Sequence, residues 1–60
     1  KYREAVRLLT ASADRVESGK GSHLIFFIGD DRLVLSIPKS NQLMHYQLKQ
    51  IDEWLTRNGK

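Results

Sequence analysis

The sequence predicts an α+β domain of order α-β-β-β-α, a three-stranded antiparallel sheet with two helices packed on one face. Three observations carry that prediction. Tyr2, Ala5, Val6, Leu9 and Ala13 recur at three- and four-residue spacing near the start. The apolar run Leu24-Ile25-Phe26-Phe27-Ile28 and the alternating run Arg32-Leu33-Val34-Leu35-Ser36-Ile37 flank a Gly29-Asp30-Asp31 turn. Met44, Leu48, Ile51 and Leu55 then repeat at helical intervals near the end. A period near 3.6 marks one apolar face of a helix, and a period of two marks a strand.

The first stripe places a helix over residues 2–12, with Lys1, Arg3, Glu4 and Arg7 off its apolar side. Thr10, Ser12 and Asp14 weaken it, because short polar side chains compete for backbone hydrogen bonds. Arg15-Val16-Glu17 alternates like a short edge strand whose charges discourage stray pairing. Ser18-Gly19-Lys20-Gly21 breaks the chain, and a strand of about seven residues follows. After the turn at Gly29, the chain returns as an antiparallel partner until Pro38, which has no N–H to continue the ladder.

Alternation also assigns the faces of the sheet. Leu24, Phe26 and Ile28 point inward with Leu33, Leu35 and Ile37, leaving His23, Ile25, Phe27 and Val34 on the other side as an apolar docking patch. Lys39-Ser40-Asn41-Gln42 is a polar connector in which Ser40 and Asn41 are good helix caps. The last helix lays Met44, Leu48, Ile51 and Leu55 on the sheet with Trp54 alongside, and Asn58-Gly59 stops it. Trp54 is most economically a core residue rather than a stacking platform for bases.

Composition bounds the function. Sixty residues make one domain, residues 1–60, and a chain this short buries only about 60% of its unfolded surface, so a partner is a natural source of extra stability. Without cysteine there is no disulfide framework or thiolate metal site, and two histidines far apart make structural zinc improbable. Neither a metal nor a cofactor is expected. Ten Lys and Arg against seven Asp and Glu give a net charge of +3, which favours an anionic partner such as nucleic acid. No charged-then-apolar leader opens the chain and no apolar run approaches the ~20 residues of a membrane span, so a cytoplasmic location is expected.

The chemistry concentrates at Gly21-Ser22-His23, where a glycine turn delivers a hydroxyl and an imidazole to the first residues of an apolar strand. An imidazole titrates near cellular pH, so it suits RNA cleavage in which a base takes the 2′-hydroxyl proton and the oxygen attacks the adjacent phosphate. His23 is the candidate catalytic residue; the plainer reading is a hydrogen bond at a strand end. Lys20, Gly21 and Ser22 offer an ammonium, backbone N–H groups and a hydroxyl to a phosphate, or else form an ordinary polar loop. Antiparallel pairing brings Lys39 toward the same end. His45 stands on the last helix, where a lone histidine is usually surface, and Asp30-Asp31 and Asp52-Glu53 read as solvated turn and helix face.

Gly-Ser-His opening an apolar strand, a second strand ending in Ile37-Pro38 and the helix Gln47-Leu48-Lys49-Gln50-Ile51 together resemble the HicA toxins, small mRNA interferases of type II toxin–antitoxin pairs. The resemblance spans nearly the whole chain. It implies a double-stranded-RNA-binding-domain-like fold, metal-independent endoribonuclease activity dependent on His23, mRNA as substrate, and a HicB-type antitoxin as partner. Such an antitoxin would cover His23 together with Ile25, Phe27 and Val34. Many HicA sequences carry a further histidine two residues after the proline, where this chain has Ser40. That departure supports the rival reading, a non-catalytic RNA-binding or protein-docking module of the same fold; a third is an interaction domain with no nucleic-acid role.

Overall fold

The computed structural model describes residues 2–36 and 42–60. Helix α1 (Tyr2–Ser12) leads into strands β1 (Arg15–Ser18), β2 (His23–Ile28) and β3 (Asp31–Ser36), and helix α2 (His45–Arg57) follows. The order is α-β-β-β-α, as the periodicities predict. β2 is the central strand and pairs antiparallel with both neighbours. Ile37, Pro38, Lys39, Ser40 and Asn41, expected to end β3 and cap the last helix, lie outside the described residues.

The β2–β3 hairpin closes through a two-residue turn, because Ile28 pairs with Asp31. Gly29 there has φ 58°, the left-handed conformation that primed hairpin turns require and glycine adopts without strain. Its N–H donates to the Asp14 carboxylate at 2.8 Å, while the Asp14 N–H donates to the Phe27 carbonyl at 2.7 Å. Asp14 therefore ends α1 and ties that end to the far end of the sheet.

One face of the sheet carries both helices. Leu9 of α1, Phe26 of β2, Leu35 of β3, and Ile51 and Trp54 of α2 form the buried core, with Leu24, Ile28 and Leu33 packed around it. The inward alternation expected of β2 and β3 is therefore present. Helix α2 is rotated from the expected stripe, however. Met44 and Leu48 are 59% and 48% exposed, whereas Gln47, Ile51 and Trp54 are buried.

The cause of the rotation is local. Met44 occupies the N-cap position, and its N–H donates to Gln47 Oε1 at 2.8 Å. Gln47 Nε2 donates to the Ser36 carbonyl at 3.3 Å, so one buried amide satisfies the helix start and ties it to the end of β3. Trp54 then lies seven residues along the same face, filling the core with an indole where Leu48 would leave it thinner.

Asp31 is also more than a solvated turn residue. Arg57 donates to both carboxylate oxygens, at 2.9 and 3.0 Å, and Asn58 Nδ2 adds a bond at 3.0 Å. This cluster fastens the end of α2 to the start of β3. The hydrogen bonds from Arg57 do most to hold the Asp31 carboxyl down, to about 2.

Candidate functional site on the open face of the sheet

Because both helices cover one face, the opposite face is open, and strand alternation decides what stands on it. Arg15 and Glu17 come from β1, His23, Ile25 and Phe27 from β2, and Arg32, Val34 and Ser36 from β3. Three transverse rows result. His23 faces Ser36 at one end, Glu17, Ile25 and Val34 form the middle, and Arg15, Phe27 and Arg32 form the other end.

The loop that delivers His23 is built by glycine. The Gly19 N–H donates to the His23 carbonyl at 2.9 Å, so Lys20, Gly21 and Ser22 form the tip between β1 and β2. Gly21 has φ 64°, a left-handed conformation that a Cβ would strain. Gly19 matters for packing instead. A Cβ there would meet His23 Cβ at 3.3 Å, closer than side chains normally sit, and touch Ile25 Cδ1 at 3.4 Å, the near edge of ordinary contact.

His23 is exposed, and its Nδ1 lies 2.9 Å from the Lys20 carbonyl. A carbonyl oxygen only accepts, so Nδ1 is the protonated nitrogen in this contact. In the neutral ring Nε2 then carries the lone pair and is the nitrogen able to take a proton. The loop thus orients the imidazole and selects its tautomer with one backbone oxygen. Orientation of a base by a hydrogen bond to its second nitrogen is the arrangement that general-base chemistry needs.

The structure brings Lys20, Gly21, Ser22 and His23 together in one exposed loop and strand start. Lys39 lies outside the described residues, although the His23–Ser36 pair shows that the end of β3 runs beside the ring. His45 is the exposed first residue of α2. Among the described residues no group of three His, Cys, Asp or Glu side chains is placed to hold a metal. No described helix is long and apolar enough to cross a membrane.

The docking patch is less apolar than alternation suggests. Val34 is 48% exposed, but Ile25 and Phe27 are only half-open. The Arg15 guanidinium sits 4.1 Å from the Phe27 ring centroid and is itself bridged to Glu17 at 2.8 Å. Sequence reasoning assigned no site role to Gly19, Arg15 or Arg32. Only the register, Arg15 opposite Phe27 opposite Arg32, shows that these cations share the face with His23. No known protein family, curated protein or solved structure matches this chain.

Proposed function

We propose that this chain is a HicA-like toxin: a metal-independent endoribonuclease that cleaves single-stranded mRNA in the cytoplasm with His23 as the general base. The observation that carries the reading is an exposed imidazole at the mouth of a glycine loop, its Nδ1 committed to the Lys20 carbonyl and its Nε2 left to accept a proton. Nε2 takes the proton of a ribose 2′-hydroxyl, the 2′-oxygen bonds to the adjacent phosphorus, and the bond to the 5′-oxygen breaks. The departing oxygen takes up a proton, leaving a 2′,3′-cyclic phosphate and a 5′-hydroxyl. Loop N–H groups at Gly21 and Ser22 and the Lys20 ammonium oppose the charge gathering on the phosphate.

A HicB-type antitoxin would neutralise the protein by covering His23 and the neighbouring Ile25, Phe27 and Val34. Replacing His23 by Ala should lower cleavage of a single-stranded RNA by at least about 100-fold, the usual scale of a lost general base, and abolish growth arrest. An unchanged circular dichroism spectrum accompanies that result. Cleavage retained by the folded variant refutes the assignment.

The second reading, a non-catalytic RNA-binding or protein-docking module, is favoured by Ser40, which stands where the resembling family often has a second histidine. Such a module shifts the mobility of RNA in the presence of chelator without shortening it.

A further inference from the structure

The row at the far end of the open face has its own chemistry. Arg15 and Arg32 flank Phe27 from the two outer strands. Stacking of the Arg15 guanidinium on the Phe27 ring, 4.1 Å from its centroid, fixes the group's plane while its edge N–H groups remain donors. Glu17 occupies part of that edge, and the Arg15 side chain is still 62% exposed. Arg32 on the other flank is exposed and makes no ion pair among the described residues.

Distance separates this row from the imidazole. Phe27 is four residues beyond His23 on the same strand face, about 13 Å at the usual strand rise. One phosphate group does not hydrogen-bond at both places. Between them lie Ile25 and Val34, a cross-strand apolar pair with Glu17 on its other flank. Imidazole and guanidinium pair therefore lie two rows apart along β2, with Glu17, Ile25 and Val34 between them, and would meet different phosphates of one extended strand. An A-form duplex is a poorer fit, because in-line attack by the 2′-oxygen needs a backbone rotated out of the helical conformation.

We propose that Arg15 and Arg32, held around Phe27, are a second phosphate-binding site for single-stranded RNA, gripping the backbone away from the bond at His23 and laying the strand along β2. The assignment rests on the ribonuclease reading for its choice of ligand. The charge of the open face agrees with it: Arg15, Arg32 and Lys20 stand against Glu17, with Arg15 bridged to Glu17 and Arg32 left exposed.

The test is the binding of a fluorescent single-stranded 2′-O-methyl RNA ten-mer, which lacks the attacking hydroxyl and is not cut. Wild type, Arg15→Gln, Arg32→Gln and the double variant are titrated over a range of salt, with Lys49→Gln as a control that removes one exposed charge from the helical side. Each arginine change should weaken binding about tenfold at low salt and reduce the slope of log affinity against log salt by about 0.7. The double variant should lose about twice that slope, and Lys49→Gln should lose neither.

Arginine variants that bind like Lys49→Gln overturn the proposal. So does equal binding of wild type to a blunt RNA duplex. An acidic peptide such as oligoglutamate that outcompetes the RNA through the same arginines would reassign the row to a protein partner. Because the probe is not cleaved, retained cleavage by His23→Ala would defeat the enzymatic reading while leaving this result standing.

Discussion

At the scale of single residues, the position of the His23 ring depends on contacts made by a backbone oxygen and a missing side chain. The Lys20 carbonyl holds Nδ1, and the hydrogen of Gly19 leaves room for His23 Cβ. A methyl at Gly19 would press on His23 Cβ and touch Ile25 Cδ1 from the strand-end side. Gly19→Ala should therefore cost about 1 kcal/mol of stability, the low end for overpacking, and lower kcat several-fold with a smaller change in KM. Chemical denaturation and steady-state cleavage check the two parts. An unchanged kcat in a destabilised variant would mean that Gly19 serves the fold alone. The role of Gly19 was not legible in the sequence, since two glycines around one lysine fit any flexible loop. The register that brings it against the imidazole was needed first.

At the scale of elements, the strands were easier to read than the last helix. Strict alternation in β3 leaves one consistent inward set, and Leu33 and Leu35 occupy it. In α2 the apolar residues surround more than half the helix, so Met44, Leu48, Ile51 and Leu55 competed with an equally spaced set containing Gln47 and Trp54. The larger indole and a buried amide with two backbone partners decide the outcome, and a buried glutamine is invisible to apolar periodicity. Leu48→Lys should accordingly shift stability by no more than about 0.5 kcal/mol, while Ile51→Ala should cost about 2–5 kcal/mol. Equal losses in urea denaturation would restore the original phase.

The Asp31 cluster belongs to the same scale, joining α2 to β3 through Arg57 and Asn58. Its carboxyl is lowered from 3.8 to about 2, first by the Arg57 hydrogen bonds, then by Asn58. A lowered carboxyl value means that the folded state binds fewer protons, so the stabilisation is complete above the ordinary carboxylate range and is lost as pH falls from about 4 through about 2. Thermal melts should place Asp31→Asn below wild type at neutral pH, with the two curves converging near pH 2. A constant gap across that range would deny the ion pair its part.

For the whole molecule, the order of elements was legible because each segment's period agrees with its place in the sheet-and-helix layering. The proposed function rests on Gly21-Ser22-His23 and the resemblance those residues carry. The arginine row was not legible, because Arg15 and Arg32 are 17 positions apart and meet only through β2. With five buried apolar residues at its centre among the described residues, the domain has little stability in reserve, and a protein partner on the open face would add some by mass action. The same face would then be shared by RNA and partner in turn.

The chemistry at His23 is tested most directly by the ends of the RNA fragments. A defined single-stranded RNA incubated with purified protein and excess chelator, then analysed by mass spectrometry, should yield 2′,3′-cyclic phosphate and 5′-hydroxyl termini with wild type and intact RNA with His23→Ala. Intact RNA with wild type, fragments ending in 5′-phosphate, or the same cyclic ends from His23→Ala would contradict the account.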